Sequence, residues 1–331
     1  MQNSRRSLSA DLIKTSAIFG VVYIHGSFLF GYTSIFSQSL VWLFRFAVPC
    51  FIILWAYFFE KSYQKKSPTE RRQYLINRFT HLFIVYFAWS LLYFFIWVDW
   101  GTLTVKEIIT AHFSGYGWSG QYFFIILFQL VVLFPLLRYL YSIKVTRYII
   151  LALTLIVYFI WGYCYSSLPA FIMKIGDRPF IFWIAYVFVG FMLAGEKHII
   201  VNIILGGFVL LIPVEAFLLD RYSLDHSPYL TPIILLSSIL FCLAMFQVKS
   251  LNVHSGFGKV ISYIGKNTMT IFVANPLVIY VLSLFIIQNS LGPPSLLAKI
   301  VFPILSTIIV LTICLLISAL LKKVRLNGIL N

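Results

Sequence analysis

Charged residues are scarce in this chain. Lys, Arg, Asp and Glu together make up 11% of its 331 residues, whereas about a quarter of the residues in an ordinary soluble domain are charged. Hydrophobic residues reach 61%, and a folded globule of this size has too little interior to hide so much apolar surface from water. The composition therefore excludes a typical soluble protein and indicates that lipid surrounds most of the chain.

Cysteines and familiar catalytic motifs are also sparse. The four cysteines, Cys50, Cys164, Cys242 and Cys314, are far apart in the sequence and form no CxxC pair and no zinc-ligand spacing, so we expect them to have packing roles. The chain has no Gly-rich phosphate loop, no GxSxG nucleophile elbow and no HExxH zinc motif, which excludes the enzyme classes that those motifs mark. No metal cofactor is expected, and the sequence does not single out a catalytic serine.

Ten apolar runs account for most of the composition. Several approach the ~20 residues that a helix needs to cross the hydrocarbon core, and isolated strands would leave backbone groups unpaired in lipid. The runs are Leu12–Phe30, Leu40–Phe59, Phe79–Val98, Tyr122–Leu137, Tyr148–Tyr163, Phe180–Ala194, Ile199–Phe217, Leu230–Val248, Met269–Ile287 and Leu297–Leu321. The first run is too long for the apolar core of a signal peptide. We expect an all-α membrane protein, a single polytopic domain over residues 1–331 in which about ten transmembrane helices form one bundle.

The basic residues have a consistent placement along the chain. The net charge of +15 would, on its own, fit a nucleic-acid-binding protein. With ten spans and a cytoplasmic N-terminus, however, 19 of the 25 Lys and Arg residues fall on the cytoplasmic side and five on the other, with Arg45 in or beside the second span. Cationic residues favour cytoplasmic loops, so we predict that both termini are cytoplasmic and that no nucleic acid is bound.

Three ionisable side chains share the first run or its start. Lys14 and His25 are eleven residues apart, close to three helical turns, so they lie on one helix face with His25 about 16 Å further along the axis. Asp11 lies within about 40° of the same stripe. Because ionisable residues within spans usually face a cavity or a partner, we interpret this face as part of a catalytic site. The alternative is that Asp11 and Lys14 anchor the helix at the interface and His25 is a packing residue.

Arg45 is predicted to lie at a depth similar to that of His25. It is six residues into the second run, where an arginine either snorkels to the interface or holds an anion in a polar cavity. A histidine and an arginine in a partly dry pocket suit acyl transfer, since imidazole can take a proton from a hydroxyl and a guanidinium can stabilise an oxyanion. We therefore predict catalytic roles for both, and substrate binding by the outward polar residues Gln121 and Glu215.

Five short motifs follow one another along the chain, and their order and spacing are informative. They are Asp11–Lys14 followed by His25-Gly26-Ser27, then Arg45–Phe51, then Gly120–Phe124 leading to Pro135, then Phe182–Tyr186 through Gly190, and finally Gly265–Phe272. Together they resemble the integral-membrane acyltransferase 3 family through nearly the whole chain. Each motif alone is weak, but their order agrees with the independent reading of ten spans.

The chain departs from the family pattern at three positions. Lys14 stands where the family usually has Arg, which keeps the charge and loses the bidentate fork. His81 replaces the second arginine of a basic Arg-x-x-Arg element that begins at Arg78. Asn275 replaces the histidine of a His-Pro pair, and since an amide cannot shuttle a proton, we predict that it binds substrate.

The resemblance implies transfer of an acyl group, commonly acetyl, from a cytoplasmic acyl-CoA to a sugar hydroxyl. The family's usual acceptors are glycans of the bacterial envelope, so the implied partners are acyl-CoA, an envelope glycan and membrane lipid, and the implied location is the bacterial cytoplasmic (inner) membrane. The coenzyme A phosphates would meet the basic inner loop that holds Arg71, Arg72 and Arg78. The cytoplasmic bias of cations alone also accounts for that loop.

The alternative from another functional class is an exporter or flippase that moves a glycan or a lipid-linked intermediate without chemistry. Ten helices with an intramembrane histidine and arginine would serve transport as well. Transporters, however, often consist of two related halves with broken helices, and the sequence has no such internal pairing. A catalytically silent membrane module is a third possibility.

Overall fold

Every regular element is a helix in the part of the chain that the computed structural model describes, residues 8–31, 34–97, 104–115, 117–173, 176–195, 202–224, 226–248, 255–286 and 295–324. The α-helices are α1 (Leu8–Gly26), α2 (Ile35–Leu43), α3 (Ala47–Gln64), α4 (Pro68–Trp97), α5 (Val105–Ser114), α6 (Gln121–Ser142), α7 (Lys144–Tyr163), α8 (Ala170–Met173), α9 (Ile184–Gly195), α10 (Leu211–Arg221), α11 (Pro232–Phe246), α12 (Gly256–Lys266), α13 (Thr268–Phe285) and α14 (Leu296–Lys323). Short 3₁₀ segments occur at Phe44–Phe46, Tyr165–Ser167, Phe180–Phe182 and Ile203–Leu210. The predicted all-α class is confirmed.

Seven helical segments are long and apolar enough to cross a membrane. They are Ile35–Gln64, Pro68–Ile96, Gln121–Ser142, Lys144–Tyr163, Ile203–Arg221, Thr268–Phe285 and Leu297–Lys323. The apolar helices α9 and α11 are shorter, and α1 carries Asp11 and Lys14 near its start. The chain is therefore a multi-pass membrane protein, while the count of ten spans stays a prediction.

The helix α1 is surrounded by other helices, because it packs against α3, α11, α12, α13 and α14. Ile13, Ala17, Ile18 and Val22 on α1 are completely buried. A Cβ added at Gly20 would lie 2.9 Å from the Phe44 side chain, so this glycine allows the 3₁₀ segment that holds Arg45 to approach α1 closely. The ionisable residues of α1 consequently point into the protein interior or along its helix contacts.

Several helix ends differ from those of the approximate apolar runs, and the first two runs are examples. The first helix ends at Gly26, four residues before the predicted end at Phe30. The second run starts earlier than predicted, at Ile35 after a capping box formed by Ser34 and Ser37, and it is interrupted by the 3₁₀ segment Phe44–Phe46. Pro49 explains the interruption, because proline has no N–H to donate to the carbonyl four residues earlier, which belongs to Arg45.

The segment from Asp99 to Ser119, between the third and fourth apolar runs, contains the helix α5. Thr104 and Glu107 form a capping box at its start, and Gly115 ends it in the left-handed conformation with φ of 82°. Residues 99–103 and 116 of this segment lie outside the described residues, as do the basic residues Arg5, Arg6, Lys174, Lys197, Lys249 and Arg325 of the charge count.

The cysteines are closer in space than in sequence. The Sγ atoms of Cys50 on α3 and Cys242 on α11 are 3.3 Å apart, and both side chains are buried, as is Cys314, whereas Cys164 is exposed. All four are free thiols. The Cys50–Cys242 contact joins two helices of the core, in agreement with a packing role.

The orientation of the bundle stays a prediction and can be tested by reporter fusions. We call the end that carries the α3–α4 and α6–α7 connections the inner end, and the opposite end the outer end, after the predicted orientation. A reporter that is active only outside the cytoplasm should be active when fused after Ser114 and silent after Lys66, because cations favour the cytoplasmic side. The reverse pattern would overturn the orientation.

Candidate functional site

A cavity of about 350 Å³ lies at the inner end, between α1, α3, α4, α6 and α13. Its walls are largely aromatic and aliphatic, and its basic side chains are Lys14, Arg78 and His81. The ammonium of Lys14 lies 4.7 Å from the centroid of the Phe58 ring, and the Arg78 guanidinium lies 5.2 Å from the centroid of the Tyr74 ring. An apolar cavity with cations suits a ligand that has a long neutral arm and an anionic head.

The three arginines predicted to bind the donor do not share this cavity. Only Arg78 lines it. The guanidinium of Arg71 lies 5.1 Å from the centroid of the Tyr63 ring. Arg72 is exposed on the first turns of α4. His81, which was seen only as a departure from the family pattern, lines the cavity one helical turn after Arg78.

A second polar cluster lies at the outer end and is centred on Arg45. The guanidinium carbon of Arg45 is 4.8 Å from the centroid of the Tyr229 ring and 5.6 Å from that of Trp42. Arg45 is also close enough to act electrostatically on His25 and on Tyr122. His25 thus lies within electrostatic reach of Arg45, and the catalytic roles of both residues stay a prediction. We call these five residues the outer cluster.

The hydrogen bonding of Arg45 is incomplete. Its Nε atom is buried and has no hydrogen-bond partner among the described residues. A buried donor without a partner costs free energy, so such groups are rare in native proteins and call for an explanation. The rings of Trp42 and Tyr229 lie against the guanidinium and accept no hydrogen bond from Nε.

Asp177 adds a carboxylate beside the outer cluster. It lies in the connection before the 3₁₀ segment Phe180–Phe182, and its backbone carbonyl accepts a hydrogen bond of 2.7 Å from Trp183 Nε1. Burial raises the pKa of the Asp177 carboxyl, and a backbone hydrogen bond and the positive charge of Arg45 oppose this effect only in part. Asp177 therefore lies within electrostatic reach of Arg45 at the outer end.

Asp11 and Lys14 do not join His25. Asp11 is buried against α12, where a Cβ added at Gly265 would lie 2.9 Å from the Asp11 side chain, and Lys14 lines the inner cavity. Both lie at the inner end, about 16 Å or more along the helix axis from His25. The predicted catalytic face of α1 is consequently divided between the two ends of the bundle.

The three residues predicted to bind substrate have structural partners. Gln121 donates to Ser90 Oγ at 3.0 Å and accepts from the Gly117 N–H at 2.7 Å. Asn275 donates to the carbonyl oxygens of Ile271 and Phe272 in its own helix, just before Pro276. These contacts stabilise a loop and a proline-containing helix, and neither side chain belongs to the outer cluster.

Glu215 supports the outer cluster indirectly. It is buried, accepts a hydrogen bond of 2.6 Å from Tyr163 Oη, and accepts a second from Thr231 Oγ1. Thr231 caps the start of α11 and follows Tyr229 by two residues. Glu215 therefore fixes the segment that presents Tyr229 to Arg45.

Sequence reasoning missed Trp42, Tyr122, Asp177 and Tyr229. The signal that pointed to partners of this kind was Arg45 itself, since a cation at that depth needs aromatic or anionic neighbours. Which of the many aromatic residues would supply the rings was not visible in the sequence. In the described part of the chain, no group of three His, Cys, Asp or Glu side chains is placed to hold a metal ion.

Comparison with known proteins identifies the family. The family model of the acyltransferase 3 group, described as an acyltransferase domain, matches residues 7–322. No curated protein and no solved structure matches the chain. The family match covers both the inner cavity and the outer cluster. The chain therefore belongs to the acyltransferase 3 family and is a multi-pass membrane acyltransferase.

Proposed function

We propose that this protein moves an acyl group, acetyl in its usual reaction, from acyl-CoA to a hydroxyl of a bacterial envelope glycan, in the cytoplasmic membrane. The observation that carries this proposal is the course of α1. Its inner half presents Lys14 to the inner cavity, and its last turn presents His25 to the outer cluster. One helix thus connects a cationic apolar cavity with an intramembrane histidine and arginine.

The inner cavity fits the donor. Lys14, Arg78 and His81 supply positive charge for the phosphates of coenzyme A, with Arg78 able to offer a planar fork and Lys14 a point charge. The aromatic walls fit the pantetheine arm and exclude water from the thioester. The lining residues on α3 run from Ser62 to Phe51, about 16 Å along the helix, which is close to the axial separation between Lys14 and His25.

The outer cluster fits the chemistry of transfer. His25 takes the proton of the acceptor hydroxyl as its oxygen forms a bond to the thioester carbonyl carbon. The negative charge that develops on the carbonyl oxygen is stabilised by Arg45, whose Nε is an unused buried donor among the described residues. The C–S bond then breaks, the proton passes from His25 to the departing thiolate, and the products are the O-acyl ester and free coenzyme A.

The acceptor is proposed to reach the outer cluster from the outer end. The segment containing Tyr229 and the connection containing Asp177 both lie at that end, which is the predicted extracytoplasmic side. A glycan hydroxyl on that side would approach His25 while the donor stays on the inner side. Asp177 and the Tyr122 hydroxyl are the polar groups that would meet a sugar there.

Transport without chemistry is the second candidate, and the interruption of the second span at Phe44–Phe46 favours it. Broken helices near the middle of a membrane are frequent in transporters. Purified protein incubated with radiolabelled acetyl-CoA and envelope glycan distinguishes the two. A transferase produces alkali-labile label on the glycan, whereas a transporter leaves the glycan unlabelled.

Arg78 provides a test of the donor site. We expect Arg78→Ala to raise the KM for acetyl-CoA by about tenfold or more with little change in kcat, since a phosphate contact made equally in the ground state and the transition state affects KM alone. The measurement is the initial rate of label transfer against acetyl-CoA concentration. Arg72→Ala is the matched control, because Arg72 lies on the same helix but does not line the cavity. An equal change in both variants would remove Arg78 from the donor site.

A further inference from the structure

The inner cavity ends toward the outer cluster in three phenylalanines. On α3 the lining residue nearest the outer end is Phe51, on α6 it is Phe123, and on α13 it is Phe272. We call these three residues the phenylalanine wall. Their rings are in contact, with centroids 6.3 Å apart for Phe51 and Phe123 and 5.2 Å apart for Phe123 and Phe272.

Two of the three residues in the wall are buried, and Phe51 is half-buried. Phe123 and Phe272 are 7% and 6% exposed. The left-handed backbone of Gly120, with φ of 93°, lies directly against Phe272, and a Cβ added at this glycine would be 3.1 Å from Phe272 Cζ. A side chain added at Gly120 would be disfavoured both by its φ and by this contact. The outer side of the wall is thus supported by backbone, which cannot move aside as a flexible side chain can.

The wall separates the inner cavity from the outer cluster. Phe123 directly follows Tyr122, whose ring centroid is 6.1 Å from that of Tyr229, the residue stacked on Arg45. Lys14 lines the cavity, and His25, further along the same helix, does not. On α6, therefore, the residue that lines the inner cavity and the residue that belongs to the outer cluster are neighbours in the sequence.

We propose that the phenylalanine wall limits the length of the acyl group that the enzyme accepts. This inference rests on the proposed function. The donor would enter from the inner end. With its phosphates at Lys14 and Arg78, its acyl group would lie at the far end of the cavity, against the wall. The acyl carbonyl must meet His25 and Arg45 at this boundary, so the atoms beyond the carbonyl occupy the space that the three rings leave. An acetyl group adds one methyl there, and each further methylene must displace a packed ring.

Phe123 is the ring to change, because it contacts both of the others. Phe123→Leu replaces the planar ring with a smaller apolar side chain, and the measurement is the ratio of the kcat/KM values for acetyl-CoA and butyryl-CoA. One methylene in an apolar pocket changes kcat/KM by about tenfold or more, so we expect the wild-type protein to prefer acetyl-CoA by about a hundredfold. In Phe123→Leu that preference should fall by about tenfold.

Two further variants make the result interpretable. Phe51→Leu opens the same wall from α3 and should lower the preference in the same direction, which covers the case in which Phe123→Leu does not fold. Phe217→Leu is the matched control, since Phe217 is 64% exposed on α10 and lines no part of the cavity, and it should keep the wild-type preference. An unchanged preference in folded Phe123→Leu and Phe51→Leu overturns the proposal, as does equal use of the two donors by the wild-type protein.

The outcomes separate this proposal from the proposed function. Transfer of acetyl and butyryl groups at equal rates leaves the enzyme an acyltransferase and removes only the wall as a selector. Transfer from neither donor to any envelope glycan overturns the proposed function and the wall together.

Discussion

His25→Ala is expected to abolish measurable acyl transfer while expression and membrane insertion remain normal. General base catalysis contributes about a hundredfold to ten thousandfold to the rate, and His25 is the residue on α1 that lies within electrostatic reach of Arg45. The residue is in the last turn of its helix and is half-buried, outside the fully buried core. The measurement is label transfer to glycan at equal protein level.

The control for His25 is a second histidine at the same end of the bundle. His112 on α5 contacts the Phe94 ring, with ring centroids 5.5 Å apart, and it does not belong to the outer cluster. His112→Ala should keep most of the acyl transfer per folded molecule. If His25→Ala also keeps most of it, His25 is a packing residue and the proposed mechanism loses its base.

Arg45→Lys is expected to fold normally and to lose about tenfold or more in turnover, which corresponds to about 1.4 kcal/mol in the barrier. Lysine keeps the positive charge, but it has no planar group to stack between Trp42 and Tyr229 and no fixed N–H directions. Losing a single oxyanion donor typically costs about a hundredfold or more. The loss should therefore appear in kcat, since the interaction strengthens in the transition state.

Two comparisons separate catalysis by Arg45 from membrane anchoring. An anchor that only snorkels to the interface would tolerate lysine, and Arg45→Lys would then stay within about twofold of wild type. Arg221→Lys, at the exposed end of α10, is the matched control and should have no effect on turnover. Turnover of Arg45→Lys close to that of Arg221→Lys would remove Arg45 from the site.

The helical class was predictable because the hydrophobicity of each run is a property of its own residues. Helix ends were harder, since they depend on local hydrogen bonds. The interruption at Phe44–Phe46 follows from the missing N–H of Pro49, and this signal was present in the sequence. The helix α5 was missed because it has only ten residues and several of them are polar. No apolar run therefore marks it.

The candidate site was predictable only in part. The spacing of Lys14 and His25 placed both on one helix, and the position of Arg45 inside an apolar run drew attention to this residue. The sequence could not tell which polar side chains the fold would already have satisfied. Gln121 is an example, since its partners Ser90 and Gly117 come from another helix and from the preceding loop. The aromatic partners of Arg45 come from separate parts of the chain, and only the packed structure brings them together.

The most direct test of the account is vectorial acyl transfer in sealed membrane vesicles. Inverted vesicles expose the cytoplasmic face, so labelled acetyl-CoA added outside can enter the inner cavity, and envelope glycan sealed in the lumen can meet the outer cluster. We expect alkali-labile label on the lumenal glycan, with none in the His25→Ala protein. Right-side-out vesicles with external acetyl-CoA should label nothing until they are permeabilised. Equal labelling in both orientations, or export of glycan without any label, would contradict a transferase whose donor and acceptor enter from opposite ends.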